Sequence, residues 1–345
     1  MDNKKIRVAI THGDTNGIGY EVILRAFEDP MMLDMCTPII YGSPKAAAFH
    51  RKATGIETQF ITINDAAEAK DGKVNLLACF DEEVKVEFGE PTEESNRAAR
   101  QAMARAKEDM QKHLYDVLVL GPVVPNPNPN RDDKALTVML SDRVRIGLLT
   151  NRLPINEVAQ SISTEKIVEK GQIFWKSLKR DFRINNPRIA VLALNPQAGT
   201  EEEKIIAPAI EELEKQNVQA YGPYTAEDFF ANNQHEAFDG VLAMYDDQGL
   251  LPFRALAPEF GVKFKAGISA ICITTDHGPL FEKAGKGEAD PTSLRQAIYT
   301  AVDMFRHRQE YDEPLANPLP KLYHEKREDG DKARFAMPRA KDIFK

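Results

Sequence analysis

The stretch RVAITHGDTNGIGYEVILRAF, residues 7–27, sets the fold class. A short run of β-branched and small apolar residues gives way to a turn holding Gly13, Gly17 and Gly19, and then to apolar residues at helical spacing. Strand, turn and helix in that order form the opening unit of an α/β layer. The pattern recurs outward. PIIYGS (38–43) reads as a strand, KAAAFHRKA as a helix and VNLLAC (74–79) as a strand. EESNRAARQAMARAKEDMQKHLY (93–115) reads as an alanine-rich helix and DVLVLGP (116–122) as a buried strand closed by a turn. Further on, LTVMLSD and RIGLLTN suggest two strands, EKIVEKGQIFWKSLKRDF a helix, PRIAVLAL (187–194) a strand and 201–216 a helix. The alternation predicts an α/β protein with a largely parallel sheet. VVPNPNPNRDDK (123–134) alternates prolines with asparagines and reads as a linker or loop. From Glu310 the chain turns polar and proline-spaced, a tail that lacks the periodicity for a core of its own and is expected to wrap a surface or move freely.

Composition narrows the class. A chain of 345 residues, 42% hydrophobic, is long enough for two domains and a sizeable core. Its net charge of −8 with dispersed basic residues argues against a general nucleic-acid binder. No apolar stretch reaches membrane-spanning length, and MDNKKIRVAI runs into a strand without a secretory signal, so a cytoplasmic protein is expected. Cys36, Cys79 and Cys272 lie far apart beside apolar sequence and read as buried reduced thiols.

Four loops carry the potential chemistry. In THGDTNGIGYE (11–21), Asp14 and Asn16 are placed to cap the following helix or to meet a ligand; the loop lacks the lysine and hydroxyl of a P-loop. LNPQAG (194–199) is a strand end with a proline turn. MYDDQG (244–249) ends an apolar run in two carboxylates, Asp246 and Asp247, suited to a metal, a proton or a solvated turn. TTDHGPLFEKAGKGEADP (274–291) sits between AGISAICITT, read as a buried strand over 266–275, and SLRQAIYTAVDMFRH, read as a helix over 293–307. Its glycines Gly278, Gly285 and Gly287 allow close backbone approach to a ligand. His277 beside Asp276 reads either as a ligand contact or as a structural histidine.

Taken in order, RVAITHGDTNGIGYEV, LNPQAG, GPYTAEDFF (222–230), DGVLAMYDDQGL and DHGPLFEKAGKGEADPTSL resemble the 4-hydroxythreonine-4-phosphate dehydrogenase (PdxA) family over residues 6 to about 306. The resemblance implies two α/β/α domains around a central cleft, of the isocitrate and isopropylmalate dehydrogenase type. One domain would comprise 1–122 with 277–311 and the other 123–276, the latter forming a homodimer, with 312–345 as the tail. It implies NAD as cofactor, held on this side by Asp276, His277, Gly278, Lys286 and Asp290, and Lys286 either reaches a cofactor phosphate or stays solvated. It implies oxidation and decarboxylation of 4-phosphooxy-L-threonine in pyridoxal phosphate biosynthesis, assisted by a divalent metal on three histidines.

The chain departs from that pattern where the metal would sit. Arg152, Gln197 and Asp246 stand at the three histidine positions, and an arginine offers no lone pair to a metal. The GHTE substrate segment has no counterpart, and Arg254, Lys263 and Cys272 replace a lysine, an asparagine and an arginine that contact substrate in the family. A guanidinium at 152, paired with Asp246 and supported by Gln197, is the expected substitute for the ion. The competing expectation is a hard-oxygen site built on Asp246 and Asp247. By resemblance the function is a PdxA-like, NAD-dependent dehydrogenase of a small phosphorylated or carboxylated substrate. The alternative is an inactive or repurposed paralogue that binds nucleotide or a small anion.

Overall fold

The computed structural model describes residues 5–80, 84–122, 134–258, 261–275 and 277–317. Its strands are β1 (Ile6–Thr11), β2 (Cys36–Gly42), β3 (Phe60–Ile63), β4 (Val74–Ala78), β5 (Val117–Leu120), β6 (Leu136–Leu140), β7 (Arg145–Leu148), β8 (Arg188–Leu192), β9 (Gln219–Tyr224), β10 (Gly240–Ala243), β11 (Val262–Ala266) and β12 (Cys272–Thr275). The helices are α1 (Gly19–Ala26), α2 (Met31–Met35), α3 (Pro44–Thr54), α4 (Glu93–Gln111), α5 (Ile155–Val158), α6 (Thr164–Arg180), α7 (Ala207–Lys215), α8 (Ala226–Ala231), α9 (Asp246–Leu256) and α10 (Thr292–Ala316). Among the described residues all strands join one sheet in the order β3-β4-β2-β1-β5-β12-β11-β6-β7-β10-β8-β9.

Strand direction divides that sheet. The strands from β3 to β12 pair in parallel, and so do those from β7 to β9. Between them the pairs β12–β11, β11–β6 and β6–β7 are antiparallel, so the two parallel blocks run in opposite directions. The mixed α/β class expected from the alternation is found, with this antiparallel seam added. The seam arises because AGISAICITT is not one strand. Gly267, at φ +88°, turns the chain over between β11 and β12, and residues 267–269 are exposed.

Side chains alternate faces along a strand, and that alternation explains where a cleft can open. On one face a continuous apolar core runs under α1, α3, α6, α7 and α10, taking Val8, Ile10, Ile40, Val138, Phe264 and Ile273 from the strands. The other face carries two separate cores. One packs Ala9, Ile39, Tyr41 and Leu118 against α4, and the other packs Ile146, Leu148, Ala190 and Ala243 against α8 and α9. On that face the seam strands offer polar side chains, Thr137 from β6, Lys263 and Lys265 from β11 and Thr274 from β12. Among the described residues no helix core closes over them, and a cavity remains.

The helix predicted over 293–307 extends to Ala316, through Pro314. Ion pairs from Arg180 to Asp312 and from Arg183 to Glu310 hold the extension, and the buried pair Arg308–Asp181 (2.6 Å) ties α10 to the end of α6. The polar residues after 310 therefore begin as helix anchored by charge. The proline-rich linker, residues 123–133, and the tail from 318 lie outside the described residues.

Candidate functional site

The cavity on the seam has a volume of about 210 Å³ and is lined by Thr137, Asn151, Arg152, Asp246, Lys263, Lys265 and Thr274, with Met139, Leu148, Leu250 and Phe264 as its apolar part. Arg152 and Asp246 arrive from the loops after β7 and β10, parallel neighbours whose carboxyl ends are therefore adjacent. Arg152 takes a left-handed backbone (φ +55°), and its amide donates to Asp246 Oδ2 at 2.6 Å. Gln248, one turn into α9, accepts from the Met244 amide (2.7 Å) and donates to the Ala193 carbonyl (2.6 Å), fixing the helix start against the ends of β10 and β8.

Asp246 is electrostatically unusual. Burial raises its carboxyl above the ordinary carboxylate range, against the Arg152 amide and the charges of Arg152 and Lys263, which favour ionisation. Asp247 pushes it up further. Its Oδ1 is buried and has no hydrogen-bond partner among the described residues.

The second half of the site is the pair of loops beyond β1 and β12. They pack on one another: the Ile18 amide donates to the Pro279 carbonyl (2.9 Å), Glu21 accepts from the Ala289 amide (2.9 Å), and Arg25 donates to the Gly287 carbonyl. Gly285 (φ +73°) lies against the Phe88 ring, where an added Cβ would stand 2.5 Å from a ring carbon. His277 is half-buried and donates from Nδ1 to the Gly278 carbonyl (3.1 Å), while its Nε2 is buried without a partner among the described residues. A Cβ at Gly278 would meet nothing within 4 Å. Thr274, which lines the cavity, lies only three residues before His277, so loop and cavity adjoin along β12.

The sequence-derived candidates separate on this geometry. Arg152, Asp246 and Lys263 come together. Gln197 is exposed in the loop after β8 and is not among the lining residues, so the cavity is not closed by its amide. Arg254 is exposed in the last turn of α9, and Asp247 in the first, pointing to solvent beside Asp246. Lys286 is exposed. Asp276 lies outside the described residues. Asp290 accepts from the Thr292 amide (2.9 Å) and hydroxyl, bonds that hold its carboxyl below the ordinary range and start α10. Asp290→Ala is expected to cost about 1 kcal/mol of stability, measured by equilibrium denaturation.

Asp14 and Asn16 do not cap α1, whose N-cap has no side-chain bond. Asp14 accepts from the Asn16 amide (2.9 Å) and from Ser95 Oγ (3.1 Å), and Asn16 reaches the Glu87 amide, the Glu90 carbonyl and Thr92. They fasten the glycine turn to the capping box of α4, a partner some eighty residues away that local reading could not supply. Lys265, Thr137, Asn151 and Thr274 were not singled out from the sequence. The signal for Lys265 was present in VKFKA, whose strict alternation places both lysines on one face.

A divalent metal does not fit these residues. Among the described residues no group of three or more His, Cys, Asp or Glu side chains is placed to hold an ion, and the one carboxylate in the cavity shares it with three cationic side chains.

A family model described as pyridoxal phosphate biosynthetic protein PdxA matches residues 34–126 and 129–301. The chain belongs to the PdxA family. Among PdxA relatives, the 4-hydroxythreonine-4-phosphate dehydrogenase of Bacteroides thetaiotaomicron is 44% identical over 97% of this chain and 98% of its own. That of Aquifex aeolicus is 32% identical over 88% and 98%. The crystal structure of a 4-hydroxythreonine-4-phosphate dehydrogenase from Burkholderia phymatum superposes with a TM-score of 0.70 at 26% identity, covering 88% of this chain and 99% of that one. The enzyme of the same name from Klebsiella pneumoniae, at 22% identity and a TM-score of 0.74 over 88% and 99%, shows the same fold. The likeness to these solved structures over 88% of the chain shows the family fold.

Proposed function

We propose that this chain is a PdxA-type oxidoreductase that uses NAD to oxidise a small phosphorylated hydroxy acid of the 4-hydroxythreonine 4-phosphate kind, with cationic side chains in place of a metal. The observation that carries the reading is the placement of Asp246 and Arg152, with Lys263 and Lys265, in one cavity beside the 277–291 loop. The shared name of relatives that match nearly the full chain supports the reaction class.

Oxidising a secondary alcohol removes a hydride from carbon and a proton from oxygen. NAD, when bound, supplies the hydride acceptor; the rest falls to the protein. Asp246 Oδ1, without another partner among the described residues and with its carboxyl raised by burial, is the proton acceptor. Arg152 and Lys263 offset the negative charge that grows on the alcohol oxygen, in a recess where such charges act strongly. The half-buried His277, whose Nε2 has no partner among the described residues, and the uncrowded Gly278 suit a cofactor lying along the 277–291 loop. By family resemblance the working form is a cytoplasmic homodimer. No helix among the described residues is long and apolar enough to cross a membrane.

The test is NADH formation from NAD and 4-phosphooxy-L-threonine by protein treated with chelator. Turnover should survive the chelator and fall by about a hundredfold or more in Asp246→Asn. Binding of NAD without turnover of this or related hydroxy acids would replace the proposal with a non-catalytic member that holds nucleotide or a small anion. The replacement at all three family histidine positions would then be its explanation.

A further inference from the structure

We propose a second binding site, for a small neutral amino acid, on the sheet face opposite the seam cavity. A separate cavity of about 290 Å³ lies there, bounded by the turn between β6 and β7, the residues just past α6 and the middle of α10. Its wall includes Leu140 and Val262, which belong to the continuous core under α6 and α10. Their sequence neighbours Met139 and Lys263 line the seam cavity instead. The two cavities therefore lie back to back on β6 and β11.

Arg145 selects the first group of the ligand. It is half-buried, and its guanidinium lies over the Phe182 ring at 4.9 Å from the centroid, while Phe182 meets Phe264 edge-on at 6.4 Å. The ring fixes one face of the guanidinium, yet among the described residues no carboxylate or carbonyl accepts a hydrogen bond from it. Asp239 and Asp142 support its charge only from beyond hydrogen-bonding reach, against burial, which disfavours the charged form. A planar fork held in place, partly withdrawn from water and with donors to spare, suits a carboxylate bound through both oxygens.

The second group of the ligand is set by α10. His307 donates from Nδ1 to the Asp181 carbonyl (2.9 Å), so its neutral ring offers Nε2 as an acceptor. Asp303, one turn earlier on the same helix face, lines the cavity with a carboxylate held only by a long ion pair to Arg306 (3.8 Å). Asp181 contributes no free oxygen, because Ser177 and Arg308 take both. An ammonium group suits His307 and Asp303 as a carboxylate suits Arg145. Leu140, Phe182, Val262 and Met304 supply the apolar wall. A dianion meets the carboxylates of Asp142 and Asp303, a simple cation meets Arg145, and a zwitterion satisfies both. At roughly 30 Å³ for each water-sized group the volume admits about nine heavy atoms, the size of leucine or methionine.

Titration calorimetry on the full chain with leucine, with isocaproate, which lacks the amino group, and with isoamylamine, which lacks the carboxylate, tests the proposal. Leucine should bind saturably, and each analogue about tenfold or more weaker. Arg145→Gln should weaken leucine and isocaproate by about tenfold while leaving isoamylamine unchanged. Asp303→Asn should weaken leucine and isoamylamine by about threefold and spare isocaproate. Misfolding would weaken all three ligands together, so the split is diagnostic. Asp246→Asn, on the other face of the sheet, should leave leucine affinity as it is. No saturable leucine binding, affinity indifferent to Arg145→Gln, or a leucine site lost in Asp246→Asn would overturn the proposal. None of these readouts uses NAD or turnover, so the dehydrogenase reading stands or falls separately.

Discussion

Below pH 6.5 the protein is expected to lose stability steeply, and the cause is a pair of buried histidines unconnected with the cavity. His12 stacks on Tyr20 with ring centroids 5.0 Å apart, and Tyr20 contacts His50 at 5.2 Å. Among the described residues His12 has no hydrogen-bond partner on either ring nitrogen, and His50 donates from Nε2 to the Thr15 carbonyl (2.7 Å) with Nδ1 unpartnered. Both are fully buried, and burial lowers each to about 4; for His12 the neighbouring His50 adds to the lowering. The unfolded value is near 6.5. Between the two values the unfolded chain binds protons that the folded chain refuses, so stability is complete above pH 6.5 and drains as pH falls toward 4. The slope is about 1.4 kcal/mol per pH unit for each histidine, and the pair together can consume several kcal/mol, a large share of ordinary domain stability. Denaturant titrations from pH 7.5 to 4.5 would measure it. His12→Gln should roughly halve the slope in that window. Carboxylates held low by partners, such as Asp312 beside Arg180, add their own loss only further down, nearer the ordinary value for aspartate. A flat stability between pH 6.5 and 4.5 would show that these rings are protonated in the fold.

Alanine at Gly13 should be nearly as costly. Gly13 sits at φ +81°, and a Cβ there would stand 2.2 Å from the Pro122 carbonyl oxygen, backbone that cannot swing aside. The Asp14 amide donates to that same oxygen at 3.0 Å, so the turn after β1 and the end of β5 are in direct register. Left-handed strain of about 1–2 kcal/mol and an overpacking penalty of about 1–3 kcal/mol combine to a loss of roughly 2–5 kcal/mol. Gly278→Ala is the control. With open space around it, the change should shift stability by no more than about 0.5 kcal/mol. Thermal or urea denaturation of the two variants side by side would decide whether the glycine turn is structural while the 277–291 loop is kept spare for a ligand.

Much of the fold was legible because strands such as PIIYGS and VNLLAC declare themselves by unbroken apolar runs, the mark of strands buried on both faces. The seam was not legible for the converse reason. VKFKA has a lysine at every second place and was passed over as a strand, although half-buried strands alternate in that way. The carboxyl-end loops read as candidate sites, but their partners do not show in the sequence: Asp14 meets Ser95, and Arg152 meets Asp246 through its main chain, contacts fixed by tertiary packing rather than by spacing. Gln197 illustrates the limit in the other direction. A residue matched to a motif position need not line the cavity that the motif implies.

The alternation in the seam has a consequence for how such a protein changes over time. Along β6, β11 and β12 the residues that hold the fold together and those that line the cavity are interleaved, Val138 between Thr137 and Met139, Phe264 between Lys263 and Lys265, and Ile273 beside Thr274. A substitution on one side of the ribbon leaves the other untouched. Ligand preference can therefore drift through single codons at every second position while the opposite face stays under constant selection for packing, and a relative can exchange one chemistry for another without passing through an unfolded ancestor.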